Sequence, residues 1–399
     1  MLLVRHILEK YLRICYNCIV LSTCAIALYV HIPFCRRKCN YCSFISYENK
    51  ESSIPDYILA LQKELLYYTG SNTISSIYFG GGTPSLLSVK QLNDILQTIH
   101  TVFRVDDKSE ISLEANPGTI DTNYLSAIRK AGFNRLSLGI QSLQDKELAI
   151  LGRIHTTDEA RAAIGFARNA GFDNLNLDLI YGLPGQTLAE WHDTLLATIT
   201  LGAEHLSLYG LSLEQNTPLW QAIEEKSIPA PDPDLCADQY EMAEDILSSY
   251  DYQQYEISNW AKAGRECRHN LVYWQYRSYL GIGVGAHSFT GNRRFSNTPE
   301  LDTYIPIFTN DLAPVYDVNE KINPQLQIAE RIILGLRLNR GIIIAELNHQ
   351  SGINIMEYYN KQIKELTTAG LLEYKNGILR LTRRGRPLSN EVFWRFLPD

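Results

Sequence analysis

The first half of the chain alternates between short runs of β-branched and aromatic residues and longer amphipathic segments. The short runs lie at 27–32, 76–79, 111–115, 135–139, 175–180 and 205–211, and helical patterns lie between them at 54–68, 89–102, 123–131, 158–170 and 188–200. Strands that alternate with helices of this length predict an α/β fold with a parallel sheet. Six repeats predict an open, partial β/α barrel, because a complete barrel needs eight and the pattern stops near residue 215.

The second half is less regular. A helical pattern at 238–249 precedes a glycine-rich stretch at 281–285, which we interpret as a loop. Helical patterns at 325–336 and 356–369 are followed by two β-rich runs, 371–374 and 378–381, around Asn376-Gly377. Asn-Gly is a strong signal for a two-residue hairpin turn. We therefore predict four regions, which are an extension of doubtful relevance at 1–24, a partial barrel at 25–215, a barrel-associated region at 216–322 and a winged-helix-like domain at 323–399.

An apolar run at 19–30 raises the question of a membrane segment. It covers about a dozen residues before His31 and Pro33, whereas a membrane-spanning helix needs ~20. We therefore expect no transmembrane segment. The basic residues Arg5, Lys10 and Arg13 leave a signal or transit peptide open, although a first core strand at 27–31 is favoured.

The charge of the chain bears on its partners. The formal net charge is −7, which argues against a nucleic-acid partner, because such proteins carry a basic surface. The C-terminal region is nevertheless locally basic. We favour a role as a docking or lid module for this region, and binding of RNA is the alternative. The basic residues concerned are Arg380, Arg383, Arg384, Arg386 and Arg395.

The cysteines indicate metal binding. Six of the eight fall within residues 15–42, a clustering that is typical of a metal site in a reducing compartment. Cys35, Cys39 and Cys42 can hold three irons of a [4Fe–4S] cluster and leave the fourth open for the amine and carboxylate of S-adenosylmethionine. Zinc is the alternative, although it prefers four ligands. The cations at 36–38 suit an acidic electron donor.

Polar residues follow the predicted strands. The run Gly80-Gly81-Gly82-Thr83-Pro84 follows the second strand, and Glu114, Gln141 and Asp178 end the next three. The working residues of parallel barrels lie at these strand ends, and Arg153 lies in the loop after the fourth strand. Glycines allow close approach of a ligand to the backbone. These residues therefore predict a nucleotide site beside the cluster.

These motifs resemble the radical-SAM coproporphyrinogen III oxidase-like family. The resemblance rests on the strings at 29–42, 80–84 and 178–184, with Glu114 and the pairs at 141–142 and 152–153. It implies a [4Fe–4S] cluster on Cys35, Cys39 and Cys42. It also implies contacts with S-adenosylmethionine by Tyr29, Gly81, Gly82, Thr83, Glu114, Gln141, Arg153 and Asp178.

Two branches of this family differ in their motifs. The oxidase branch, which decarboxylates coproporphyrinogen, typically has a further cysteine where this chain has Phe44. The haem chaperone branch carries His-Asn-x-x-Tyr-Trp, found here as His269-Asn270-x-x-Tyr273-Trp274. The resemblance to that branch implies a cytoplasmic protein that binds haem and passes it to an acceptor such as a respiratory haem protein. The oxidase is the alternative, and we assign no enzyme activity.

The haem ligand is less well defined by the sequence. A neutral imidazole is a good ligand of haem iron, which makes His269 the first candidate and Cys267 its rival. Tyr273 and Trp274 can cover the apolar macrocycle. A homodimer would be useful to such a protein.

Overall fold

A computed structural model describes residues 25–68 and 73–398. Cys15 and Cys18, and the apolar run up to residue 24, lie outside the described residues. Elements are numbered in chain order. The strands are β1 Ile26–Ile32, β2 Phe34–Cys35, β3 Tyr47–Glu48, β4 Thr73–Gly81, β5 Arg104–Ala115, β6 Arg135–Gln141, β7 Leu175–Tyr181, β8 His205–Gly210, β9 Gln253–Glu256, β10 Asn259–Ala261, β11 Tyr279–Ile282, β12 His287–Thr290, β13 Arg293–Asn297, β14 Tyr316–Lys321, β15 Ile342–Ile343, β16 Leu372–Lys375 and β17 Ile378–Leu381.

The helices separate these strands much as the periodicity predicts. They are α1 Ile54–Tyr67, α2 Val89–Val102, α3 Thr122–Ala131, α4 Asp145–Ile150, α5 Thr157–Asn169, α6 Leu188–Thr200, α7 Pro218–Glu224, α8 Pro233–Ser248, α9 Arg268–Trp274, α10 Leu301–Thr309, α11 Pro324–Leu336, α12 Ile344–Ser351, α13 Ile355–Tyr358, α14 Asn360–Thr368 and α15 Ser389–Trp394. No helix among the described residues is long and apolar enough to cross a membrane.

The described residues divide into two compact units, of which the first comprises 25–68, 73–139, 151–175 and 278–321. Its strands follow the order β14-β13-β12-β11-β1-β4-β5-β6. The run from β11 to β6 is parallel, and β12 to β14 extend it with antiparallel pairs. Nearly all of β1 is buried, because a parallel sheet is covered on both faces. The predicted strands and crossover helices of this unit are confirmed.

Two features of the first unit differ from the prediction. β5 begins at Arg104, seven residues before the predicted start at 111, because its first residues are charged and exposed and lack an apolar pattern. The glycine-rich stretch 281–285 is not entirely a loop, since Gly281 and Ile282 belong to β11 and pair with Tyr29 and Val30 of β1. Glycine lacks the side chain from which strand periodicity is recognised.

The side chain of Glu64 on α1 is a buried carboxylate that contacts residues after β11. Glu64 accepts hydrogen bonds from Gly283 N at 2.8 Å, from Asn297 Nδ2 at 2.6 Å and from the hydroxyl of Tyr304. Burial raises the pKa of Glu64 to about 7, although these three donors favour the charged form.

The second unit comprises residues 140–150, 176–277 and 322–398. In it β7 and β8 are parallel, and β10 joins β8 and β9 by antiparallel pairing. Its C-terminal part has a three-stranded sheet, β15-β17-β16, packed with short helices. Asn376 and Gly377 both have positive φ, as a type I′ turn requires. The predicted α/β class with a winged-helix-like C-terminal domain is confirmed.

The structure refines the helices of this unit. The helical pattern at 356–369 forms two helices, α13 and α14, which are separated by Tyr359 at φ −104° and ψ 26°. The predicted helix 238–249 begins earlier, at Pro233, where Asp232 caps it. The predicted region limits at 215/216 and 322/323 stay predictions.

Candidate functional site

The three candidate cluster cysteines lie on one loop of the first unit. Cys35 ends β2 and is buried, while Cys39 and Cys42 are half-buried in the loop that leads to β3. β2 and β3 pair in parallel and close the loop, and Cys42 N donates to Cys39 O at 3.1 Å. Burial raises the pKa of Cys35 and of Cys42, and the neighbouring thiols add a smaller rise. The three thiols are therefore within electrostatic reach of one another.

The donor set can be compared with what a cluster needs. Within residues 25–68 and 73–398, no group of three His, Cys, Asp or Glu side chains is placed to hold a single metal ion. A [4Fe–4S] cluster instead takes one thiolate for each bound iron. The loop supplies three unpaired thiols, and this number and chemistry fit a cluster with one open iron.

Arg153 makes an unexpected contact with this loop. Its guanidinium donates to Cys39 Sγ at 3.3 Å, to Gly139 O at 2.7 Å and to Asn116 Oδ1. The sequence assigned Arg153 to the nucleotide alone. Hydrogen bonds and positive charge near cluster sulfurs raise the reduction potential, so that Arg153 is also placed to influence the cluster.

The glycine run lies against the same loop. Gly81 has φ +116°, and a Cβ on Gly82 would lie 2.8 Å from Phe34 O and 3.0 Å from Cys35 Sγ. Thr83 Oγ1 donates to Cys35 Sγ at 3.6 Å. A side chain at Gly82 would therefore displace the cysteine loop, and the backbone at 81–83 forms one wall of the candidate site.

Glu114 fastens this wall to the neighbouring strands. It accepts hydrogen bonds from Gly81 N at 3.2 Å and from the hydroxyl of Tyr78 at 2.9 Å. Burial raises the pKa of Tyr29 well above its usual value, and the charge of Glu114 adds to this rise. Tyr29 is therefore a neutral phenol beside a carboxylate.

His31 was not recognised in the sequence. Its Nε2 lies 2.9 Å from Ile45 O, which can only accept, so that Nε2 carries the proton and Nδ1 accepts from Tyr29 Oη at 3.1 Å. Burial lowers the pKa of His31 to about 4, which keeps it neutral. The available signal was strand alternation, which places His31 on the same face as Tyr29.

Two of the predicted nucleotide residues belong to the second unit. Gln141 ends β6 with φ +64°, a left-handed conformation that is uncommon for a residue other than glycine. Asp178 lies on β7 and accepts a hydrogen bond from Asn176 Nδ2 at 2.8 Å. The other six lie with the cysteine loop in the first unit; they are Tyr29, Gly81, Gly82, Thr83, Glu114 and Arg153.

The candidate haem residues lie on α9 in the second unit. His269 is 1% exposed, and its Nε2 lies 2.9 Å from the hydroxyl of Tyr273, one turn later. Cys267 is buried at the residue that precedes the helix. Trp274 Nε1 is buried and has no hydrogen-bond partner among the described residues, and the Arg337 guanidinium lies 4.3 Å from the centre of its ring. A buried donor without a partner is costly, which makes Trp274 a candidate contact for a polar ligand group.

The arginines of the C-terminal domain are largely paired with carboxylates of the same unit. Arg383 and Arg386 form ion pairs with Glu244 of α8. Two more pairs lie within the domain, Arg380–Glu373 and Arg395–Glu365. Four of the five basic residues named from the sequence are thus in ion pairs, and the docking role and the binding of RNA both stay predictions.

Comparison with known proteins adds to this geometry. Residues 29–197 match the radical SAM superfamily, and residues 322–388 match the HemN C-terminal domain. The chain is 35% identical to the heme chaperone HemW of Bacillus subtilis over 93% of this chain and 99% of that protein. It is 39% identical to the mouse protein named radical S-adenosyl methionine domain-containing protein 1, mitochondrial, over 94% of this chain and 87% of that protein. The structure of coproporphyrinogen III oxidase (HemN) from Escherichia coli is similar in fold, with a TM-score of 0.82 at 24% identity, over 98% of this chain and 93% of that one.

Proposed function

Because this chain belongs to the radical SAM family that includes the heme chaperones HemW, we propose that it binds haem and transfers it to an acceptor protein. The observation that carries the proposal is the arrangement of His269, Tyr273 and Trp274 on the single helix α9. Haem combines an iron that binds imidazole, an apolar macrocycle and two anionic propionates. The helix and its surroundings offer a group for each.

His269 supplies the imidazole. In this structure its Nε2 is hydrogen-bonded to Tyr273. The Tyr273 hydroxyl must therefore move away before this nitrogen can bind iron. The rings of His269 and Tyr273 form a T-shaped contact at a centroid distance of 5.2 Å. We infer that Tyr273 protects the ligand in the absence of haem and turns towards the macrocycle in its presence.

Trp274 and Arg337 offer hydrogen-bond donors to the propionates of haem. The indole N–H lacks a partner, and so does Nε of Arg337, again among the described residues. Both are buried donors, and a propionate oxygen would satisfy either. Cys267 remains the rival iron ligand, because it is buried two residues from His269.

In this proposal the cluster and the nucleotide regulate the binding and transfer of haem. Cys35, Cys39 and Cys42 would hold the [4Fe–4S] cluster, which supplies an open iron and an electron for S-adenosylmethionine. Tyr29, Glu114 and the backbone at 81–83 would orient the nucleotide, together with Gln141, Arg153 and Asp178. We propose that the exchangeable binding of this nucleotide regulates haem transfer.

The partners follow from the same reading. The acceptor is a haem protein, and a respiratory one is our first expectation. The exposed cations Arg36 and Arg37 in the cluster loop suit an acidic electron donor. We propose a cytoplasmic location and a homodimer as the working state.

The oxidase alternative is not favoured. The residue at the position of its additional cysteine, Phe44, is 65% exposed and has no thiol to offer. The likeness to the Escherichia coli oxidase at 24% identity concerns the fold.

Titration of hemin into the anaerobically reconstituted full chain tests the proposal. We expect saturable one-to-one binding, followed by the Soret band, that His269→Ala or Cys267→Ala weakens by about tenfold or more, equivalent to about 1.4 kcal/mol. The exposed His349 provides a control, since His349→Ala should bind like the wild type. Absence of saturable binding by every form would refute the proposal and would make decarboxylation of coproporphyrinogen the next activity to assay.

A further inference from the structure

We propose that a chain of four hydrogen bonds couples the nucleotide residue Asp178 to the start of helix α9, which carries the haem motif. The chain runs through Asp178, Asn176, His205, Tyr255 and Cys267, and we call it the relay. This inference rests on the proposed function for the identity of the two ligands. It adds the route by which one ligand can affect the other.

The contacts of the relay are continuous within the second unit. Asn176 Nδ2 donates to Asp178 Oδ1 at 2.8 Å, and Asn176 Oδ1 lies 2.6 Å from His205 Nδ1. His205 Nε2 lies 2.8 Å from the hydroxyl oxygen of Tyr255. That oxygen accepts a hydrogen bond from Cys267 N at 3.3 Å. Residues separated by up to 91 positions in sequence are thus joined by consecutive polar contacts.

The sheet brings these side chains together. In the parallel pair of β7 and β8, Asn176 is the register partner of His205. β10 pairs with β8 on its other side, with Ala261 opposite His205, and β9 follows with Tyr255. Asn176 is 2% exposed and His205 is fully buried, so that water does not compete for the hydrogen bond between them.

All donors of the relay point in one direction. Asn176 Oδ1 can only accept, so that His205 Nδ1 carries the proton and Nε2 is the acceptor. The Tyr255 hydroxyl must then donate to His205 Nε2, which leaves its oxygen to accept from Cys267 N. Every N–H and O–H therefore points towards the carboxylate of Asp178. Consecutive hydrogen bonds with the same direction polarise one another in a low-dielectric interior.

This polarity gives the coupling a physical basis. When a nucleotide hydroxyl binds Asp178, the carboxylate accepts less strongly from Asn176 and every later bond weakens. If Asp178 moves instead, the hydrogen bond from Asn176 Nδ2 lengthens and weakens, and the later bonds weaken with it. Either change reaches Tyr255 and the backbone of Cys267.

The far end of the relay is well placed to affect haem. Cys267 immediately precedes α9, and its N–H is held by Tyr255 rather than by the helix. His269 follows two residues later. A change at Cys267 N therefore alters how the first turn of α9 forms and where His269 lies, so that Tyr255 is a positioning residue for the haem ligand.

Hydrogen exchange tests the relay without haem. The sample is the reconstituted full chain with and without S-adenosylmethionine, and the measured segment is 262–277. Tyr255→Phe keeps the ring and removes the hydroxyl that joins His205 to Cys267. Ser207→Ala is the matched control, because Ser207 donates to the same Asn176 Oδ1 at 3.1 Å but lies on a side branch.

We expect the nucleotide to change the exchange rate of this segment by about fivefold or more, the lower end of ordinary allosteric coupling. Ser207→Ala should retain the change and Tyr255→Phe should lose it. His205→Phe, which breaks two links, should lose it as well and provides a second variant should Tyr255→Phe fold poorly. An unchanged rate in the wild type, or an equal change in the wild type and both relay variants, overturns the relay.

A hemin titration of the same proteins separates the relay from the proposed function. The nucleotide should alter the hemin affinity of the wild type and of Ser207→Ala, but not that of Tyr255→Phe. Equal hemin affinity with and without nucleotide in the wild type overturns the coupling. If hemin fails to bind while exchange at 262–277 still responds through Tyr255, the relay stands and the haem chaperone proposal falls.

Discussion

The contact between Arg337 and Glu256 allows a sharp test of how the C-terminal domain supports α9. Arg337 follows α11, and its guanidinium lies 3.5 Å from Glu256 Oε2 and 4.3 Å from the centre of the Trp274 ring. The side chain of Glu256 is fully buried. Arg337→Leu removes both the cation over the indole and the partner of the carboxylate.

The expected cost can be worked from these contacts. Removing one partner of a buried ion pair costs about 3–5 kcal/mol, and a cation–π contact contributes about 0.5–2 kcal/mol. Glu256 keeps hydrogen bonds from Ser258 N and Asn259 Nδ2. Burial already raises its pKa, and loss of Arg337 raises that pKa further, so that protonation limits the penalty. We therefore expect Arg337→Leu to cost about 3 kcal/mol at neutral pH.

Two variants control this prediction. Arg380→Leu removes an arginine from an exposed pair with Glu373 and should cost about 0–1 kcal/mol. The double variant Arg337→Leu/Glu256→Gln removes both charges of the buried pair and should recover about half or more of the loss.

Urea unfolding followed by circular dichroism measures all of these variants. The reasoning is refuted if Arg337→Leu is no less stable than Arg380→Leu. It is also refuted if the double variant is as unstable as Arg337→Leu alone, because the cost would then not come from an unpaired buried charge.

Two further predictions concern the first unit. Gly82→Ala should reduce the iron bound after reconstitution, because its Cβ would meet Phe34 O and Cys35 Sγ. The control Gly165→Ala, with open space around its Cβ, should bind iron like the wild type. Equal amounts of iron in both variants would contradict the role of Gly82 in the wall of the site. Glu64 has a pKa raised from 4.5 to about 7, so that its contribution to stability is fully present below pH 4.5 and is lost as the pH rises to 7, a change of about 3 kcal/mol. Glu64→Gln should remove this slope, and identical pH profiles of unfolding for variant and wild type would show that Glu64 does not titrate in this window.

Local pattern was sufficient for most elements and for part of the site. The periods of strand and helix follow from backbone geometry, so that α2 and α6 have the predicted limits. The spacing of Cys35, Cys39 and Cys42 is likewise local. It places three thiols on one loop, whatever the position of that loop in the fold. Glu114, Gln141 and Asp178 could be named because strand ends are visible in a single sequence.

Contacts between distant parts of the chain were decided only in the folded molecule. The pairing of β11 with β1, the hydrogen bond from Arg153 to Cys39 and the link from His205 through Tyr255 to Cys267 join residues that no short sequence window contains together. Which surfaces meet depends on how all the strands and helices bury their apolar faces at once, and this is a property of the whole chain. Periodicity therefore determined the elements and the chemistry of their ends, whereas tertiary packing determined which of those groups touch.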